Sequence, residues 1–142
     1  SRVAYDPENV FAKILRGDAP AHKVFEDEKT LAFMDIMPQT RGHTLVIPKA
    51  PAKDIFDLSP ELLAATITTT QRVAKAVRAA FSPAGMMIGQ LNGSRAGQTV
   101  FHLHFHIIPR YDSGGFHFHG VEPEDPEVLA AHAEAIRAHV GA

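Results

Sequence analysis

Hydrophobic positions along the chain switch repeatedly between helical and strand spacing, and those switches lay out its elements. Val10, Phe11, Ile14 and Leu15 form an apolar stripe at helical spacing. Asp6-Pro7-Glu8 in front of them reads as a helix start, with Asp6 as N-cap and Pro7 at the first helical position, and Gly17 reads as the stop. His22 to Glu26 and Thr30 to Asp35 read as two strands of a hairpin turning at Asp27-Glu28-Lys29. An irregular stretch, Ile36 to Gly42, leads into a strand His43-Thr44-Leu45-Val46-Ile47 halted by Pro48. Ser59-Pro60-Glu61 is the clearest helix start in the chain. Leu63, Ile67, Thr70, Val73, Val77 and Phe81 follow on one face, with Arg72, Lys75 and Arg78 off it, which predicts an amphipathic helix of about five or six turns. Pro83 and Gly85 end it. Met86 to Asn92 reads as a strand, Gly93 to Gly97 as a loop, Phe101 to Ile108 as a strand, and Glu127 to Val140 as an Ala-rich helix with Pro126 near its start.

Short joins between neighbouring strands predict antiparallel pairing, hence an α+β fold rather than a doubly wound α/β one. The 142 residues suit one compact domain over 1–142. Composition narrows the function classes. A net charge of -2, without a block of like charge, gives no footing for nucleic acid. With no apolar run of membrane-spanning length, no membrane partner is expected. Ser1 to Asn9 is polar and lacks an apolar signal core, so a cytoplasmic location is the default expectation. Zero cysteines exclude disulfides, Cys-ligated zinc and thiol catalysis.

Nine histidines are many for this length, and three of them alternate in His102-Leu103-His104-Phe105-His106-Ile107-Ile108. On a strand, successive side chains point to opposite faces, so His102, His104 and His106 share one face while Leu103, Phe105 and Ile107 face the core. Three polar rings in a row on a strand face are costly without partners or a task. Two tasks fit. A strand-borne His-x-His can bind zinc, although the acids offered near the triad are few: Asp54, Asp57 and Glu61, at the start of the long helix. Imidazole can instead attack phosphorus, being neutral and nucleophilic near pH 7, with neighbouring rings moving the proton.

The alternation of histidine and apolar residues resembles the signature of the histidine triad (HIT) superfamily of nucleotide hydrolases and transferases. The resemblance extends to Gly97-Gln98-Thr99-Val100-Phe101 before the triad, and to Gly42-His43-Thr44-Leu45-Val46-Ile47-Pro48-Lys49, the strand of the family's fourth histidine. Phe33-Met34-Asp35-Ile36-Met37-Pro38 resembles its ribose-binding turn and Asn9-Val10-Phe11-Ala12-Lys13-Ile14 its N-terminal helix. It covers roughly residues 8 to 110, leaving 111–142 as an extension whose helix is expected to pack on a partner subunit or close over the site. The resemblance implies about five antiparallel strands with a long helix and N- and C-terminal helices, and a homodimer.

It also implies roles. His104 is the nucleophile at the α-phosphorus, with a backbone carbonyl holding its other nitrogen. His106 assists the leaving group, and His102 and His43 support the proton network. Gly97, Gln98, Thr99 and Asn92 lie at the phosphate or leaving group. Asp35 accepts from the ribose, and Phe11, Ile14 and Ile36 line the base pocket. No cofactor is required. His106, where transferase members that resemble galactose-1-phosphate uridylyltransferase carry glutamine, favours hydrolysis. The expected reaction is cleavage of purine nucleoside phosphoramidates, as in the family's Hint branch, by way of a nucleotidyl-His104 intermediate. Ile107-Ile108-Pro109-Arg110 leans instead towards the Fhit branch, which cleaves dinucleoside polyphosphates. A nucleotide-binding protein without turnover and a zinc-binding protein using the triad are the competing classes. Many bacterial members carry a zinc-binding Cys-x-x-Cys where this chain has Asn9-Val10-Phe11-Ala12. His22, His117, His119, His132 and His139 match no motif and read as surface or loop residues.

Overall fold

The computed structural model describes residues 4–112, 120 and 122–141. Its elements in chain order are α1 (Val10–Leu15), β1 (Lys23–Glu26), β2 (Thr30–Met34), β3 (Thr44–Pro48), α2 (Pro60–Phe81), β4 (Gly85–Gln90), β5 (Phe105–Arg110) and α3 (Pro126–Arg137). Short 3-10 turns lie at Ile55–Asp57 and Ser94–Ala96. The strands form one sheet in the order β1-β2-β3-β5-β4, antiparallel throughout. This is the α+β arrangement that the short strand joins predict. No helix among the described residues is long and apolar enough to cross a membrane.

Strand alternation divides the core in two. Ala32, Met34, Val46, Phe105 and Ile107 face one way and pack against Val73, Ala76 and Val77 of α2 and Leu129, Ala133 and Ile136 of α3. Leu31, Phe33, Leu45 and Ile47 face the other way and pack against Phe11 and Ile14 of α1. His106 pairs with Leu45 across the β3–β5 ladder and stands on this second face.

The structure departs from the sequence reading in four places. Asp6 is not the cap of α1. Its Oδ1 accepts from the Glu8 amide in a turn, and Asn9, next to the apolar stripe, accepts from the Ala12 amide at 2.9 Å. The buried face of α2 keeps Thr70, Val73 and Val77 of the predicted stripe but takes in Thr66 and Thr69 in place of Ile67, which is 44% exposed. The threonine hydroxyls are satisfied locally, Thr66 donating to the Leu62 carbonyl, Thr70 to the Thr66 carbonyl and Thr69 sharing a bond with Thr30, so these threonines pack as if apolar. The last strand begins at Phe105, leaving His102 and His104 in the extended segment before the ladder. Finally, α3 does not close over the histidines, because Leu129, Ala133 and Ile136 pack into the core on the opposite face of the sheet.

The approach to β3 requires a glycine. Gly42 has φ +90°, and a Cβ there would meet the Phe81 ring and the Pro109 side chain. That close approach sets the turn from which His43 enters the sheet.

Candidate active site

Four buried histidines meet on the α1 face of the sheet. His43 comes at the head of β3, His106 from within β5, and His102 and His104 from the segment leading into it. The His104 and His106 rings lie 4.9 Å apart between centroids, and His43 and His106 5.3 Å apart. Of the four, His104 is the most exposed, at 4%.

Hydrogen bonds fix the proton on each neutral ring, because a carbonyl can only accept and an amide can only donate. His104 Nδ1 lies 2.7 Å from the His102 carbonyl. Nδ1 therefore carries the hydrogen and Nε2 is left with its lone pair. The Gln39 amide donates to His43 Nδ1 at 2.9 Å, so the His43 proton sits on Nε2, 3.0 Å from His106 Nδ1. His106 accepts there and carries its own proton on Nε2. His102 Nε2 donates to the Pro48 carbonyl at 2.8 Å, and its Nδ1 accepts from the Tyr5 hydroxyl at 2.7 Å. Burial holds the His102 pKa below the usual histidine value, against the opposing pull of the Pro48 carbonyl. The cluster thus sets an unprotonated Nε2 on His104 beside a protonated Nε2 on His106.

The other predicted residues divide. Asp35 joins the cluster, with Oδ2 3.5 Å from His43 Nε2 and Oδ1 accepting from the Met37 amide. It is the carboxylate near the triad that sequence spacing did not reveal, whereas Asp54 and Asp57 pair with Lys53. Ile36, beside Asp35, is 61% exposed, a large apolar side chain on the surface. The backbone of the C-terminal segment reaches this turn, Gly120 donating to the Met37 carbonyl and Glu124 to the Ile36 carbonyl. Phe11 packs edge-on to His104 at 5.0 Å and to Phe33 at 5.3 Å, while Ile14 is buried in the core beneath it. Phe11 and Ile14 thus both belong to the buried cluster on this face of the sheet.

Gln98 and Asn92 are engaged with the chain itself. Gln98 Nε2 donates to the Lys53 and Val100 carbonyls and its Oε1 accepts from the Gly93 amide. Asn92 Oδ1 accepts from the Ile55 amide and its Nδ2 donates to Gln90. Both side chains brace loops of the chain itself. Gly97, with φ +100°, makes the turn that delivers Gln98. Thr99 lines a cavity of about 730 Å³ with Lys53, Ser94, Val100 and Phe101, and the four histidines are not among its walls.

Asp35, His43 and His106 bring one ligand atom each within 4.8 Å of one another. The nitrogens concerned already face each other through a hydrogen bond, and the other His43 nitrogen takes an amide proton, so the set fits a proton relay better than a cation. At the position of the bacterial Cys-x-x-Cys, Asn9 is a helix cap with its oxygen on an amide, and Ala12 offers no ligand. His132, in α3, packs edge-on to Phe81 at the end of α2. His117 and His119 lie outside the described residues.

The HIT domain family model matches residues 16–113. The chain belongs to the HIT family. It is 45% identical over 129 residues to Protein hit of Bacillus subtilis, a match spanning 86% of this chain and 89% of that one. It is 39% identical over 125 residues to the adenosine 5'-monophosphoramidase hnt1 of Schizosaccharomyces pombe, covering 84% and 91%. Among solved structures, a Hit-like protein from Bartonella henselae superposes with a TM-score of 0.89 at 44% identity, covering 96% of this chain and 99% of that one. A zinc-bound histidine triad protein from Mycobacterium smegmatis superposes with a TM-score of 0.82 at 40% identity, covering 94% and 93%. Within this HIT domain, α3 and the Tyr5 contact lie outside the matched residues.

Strand alternation found His102, His104 and His106, the family resemblance added His43, and neither showed that Asp35 and Tyr5 are partners of these rings. Asp35 could be picked out as a residue of interest, but its approach to His43 depends on the turn through Gly42. Tyr5 sits 97 residues from His102 in a polar segment with no periodicity, so no local signal points to it.

Proposed function

We propose that this HIT protein hydrolyses purine nucleoside phosphoramidates through a covalent nucleotidyl-His104 intermediate, releasing the nucleoside monophosphate. The observation that carries this reading is the 2.7 Å bond from His104 Nδ1 to the His102 carbonyl, which leaves Nε2 as a nucleophile without a separate deprotonation. Nε2 of His104 attacks the α-phosphorus, a P–N bond to the ring forms, and the P–N bond to the leaving amine breaks. The departing nitrogen leaves with a proton drawn from solvent, and His106 Nε2–H assists it by a hydrogen bond while the neutral ring keeps its own proton. Water then attacks the nucleotidyl-His104 phosphorus and gives up a proton to solvent, and nucleoside monophosphate leaves with His104 restored. His43 steadies the His106 ring by donating to its Nδ1. No cofactor enters the scheme.

For substrate, Asp35 is the acceptor for ribose hydroxyls and the exposed Ile36 the apolar support for the base, with Phe11 behind His104. Gly97 and Thr99 are the phosphate-side contacts. A homodimer accompanies this reading. It is supported by β4, a sheet-edge strand that leaves Ile88 43% exposed. The Schizosaccharomyces pombe relative named as an adenosine 5'-monophosphoramidase supports the phosphoramidate substrate over a dinucleoside polyphosphate.

The test is release of AMP from adenosine 5'-monophosphoramidate, and from diadenosine tri- and tetraphosphate, with chelator present, by wild type and His104→Ala. Turnover by wild type should survive chelation and fall by about 10⁴-fold in the variant, as for removal of a covalent nucleophile. Nucleotide binding without turnover would replace the hydrolase with a binding protein, and loss on chelation would bring back a metal.

A further inference from the structure

We propose that Tyr5 is a positioning residue for the nucleophile, acting through His102. This rests on His104 being the nucleophile. His102 is fully buried, and both its ring nitrogens are engaged away from the attacking nitrogen, with the Pro48 carbonyl and the Tyr5 hydroxyl. Its contribution to His104 is its peptide carbonyl, which takes the Nδ1 proton and thereby sets both the tautomer and the ring angle. The position of that carbonyl follows the position of residue 102, and residue 102 is held by its ring.

The ring is held at both ends. Nε2 is anchored on the Pro48 carbonyl at the end of β3. That bond fixes the tautomer, so Nδ1 is a buried acceptor that needs a donor. The Tyr5 hydroxyl supplies it at 2.7 Å, and the two rings meet edge-on at 5.6 Å. Without the hydroxyl, the ring can turn about Cα–Cβ to find another donor, and the carbonyl is freed to follow it.

Tyr5 is itself held in place. The Asp6 carbonyl accepts from the Asn9 amide and from Asn9 Nδ2, which binds residue 6 to the helix cap. Arg16, at the far end of α1, reaches back to the Pro7 carbonyl at 2.6 Å and to Glu8 at 3.1 Å. A polar segment with no core residues of its own is thus strapped at both ends of α1, and the side chain it delivers inward is Tyr5.

The test is Tyr5→Phe, which keeps the ring and removes the hydroxyl. It should lower kcat on adenosine 5'-monophosphoramidate roughly ten-fold or more with KM little changed, because the loss is of alignment and not of substrate contact. A merely structural hydroxyl would lower the melting temperature and leave kcat alone. Histidine side-chain NMR of the folded protein gives an arm independent of turnover. In wild type the His104 ring should show a hydrogen-bonded Nδ1–H, and in Tyr5→Phe that signal should shift or broaden while His43 keeps its Nε2–H tautomer. Unchanged kcat and an unmoved His104 signal would overturn the proposal. If wild type turns nothing over, the hydrolase reading fails while the NMR arm still decides whether Tyr5 sets the His104 ring.

Discussion

The two faces of the sheet are built on opposite principles. The face under α2 and α3 is closed by aliphatic and small side chains: Ala32, Met34, Val46 and Ile107 beneath Val73, Val77, Leu129 and Ile136. The face under α1 has only a six-residue helix over it, and four of its buried side chains are imidazoles. On the first face a residue can be exchanged for another of similar volume, since packing is non-directional. On the second, each ring depends on a donor or acceptor at a given angle, and an unmet partner costs more than the bond itself contributes. The aliphatic face therefore holds the fold while the histidine face carries the chemistry, and the two should respond differently to mutation.

The largest stability effect should fall on the aliphatic face. Ile136→Ala removes a fully buried side chain of α3 from the main core and should cost about 2–5 kcal/mol. The variant's kcat, measured while it is folded, should match wild type. A denaturant midpoint that hardly moves would mean that α3 is peripheral, and a large fall in kcat would mean that the faces are not separable.

That separation explains what could be read in the sequence. Hairpin, long helix and terminal helices follow from period and punctuation, which are local properties, and the alternation of His102, His104 and His106 survives even though the ladder starts only at Phe105. The errors lie where a polar side chain satisfies itself. Thr66 and Thr69 satisfy their hydroxyls, on the Leu62 carbonyl and on Thr30, and pass as core. Gln98 and Asn92 have the polarity of phosphate contacts but use it to tie loops together. Asp35–His43 and Tyr5–His102 depend on chain closure, and polarity alone does not say where a side chain will find its partner.

A middle-sized effect separates the faces by pH. His102 is buried with its pKa depressed, so the folded protein resists protonating it while the unfolded chain takes up the proton near pH 6.5. Its contribution to stability is whole above that pH and is lost as pH falls from there through the folded value. His132, partly buried between Phe81 and the charge of Arg41, is also shifted down and acts in the same direction. Glu26, held low by Lys49 and Lys23, loses its contribution only below about pH 4.5. Denaturant titrations should therefore show wild type less stable at pH 5.5 than at pH 7.5, and His132→Gln should keep most of that slope. A flat profile across this range would mean that His102 is not the neutral, doubly bonded ring described above.

The smallest effect gives the finest comparison, because each face has a helix with a side-chain cap. Asn9 caps α1 by accepting from the Ala12 amide, and Asp125 caps α3 by accepting from the Glu127 amide. Either residue changed to Ala should cost about 1 kcal/mol, a typical value for losing an N-cap. Their effects on turnover should differ. Asn9 also holds the Asp6 carbonyl, and its helix carries the Phe11 ring that packs on His104, so loosening it disturbs the rings. Asp125 leads into a helix that packs on α2, β1 and β2, on the aliphatic face of the sheet. At matched stability, Asn9→Ala should lose kcat several-fold while Asp125→Ala keeps it. Equal losses would show that turnover follows global stability alone, and the division of labour between the two faces would have to be abandoned.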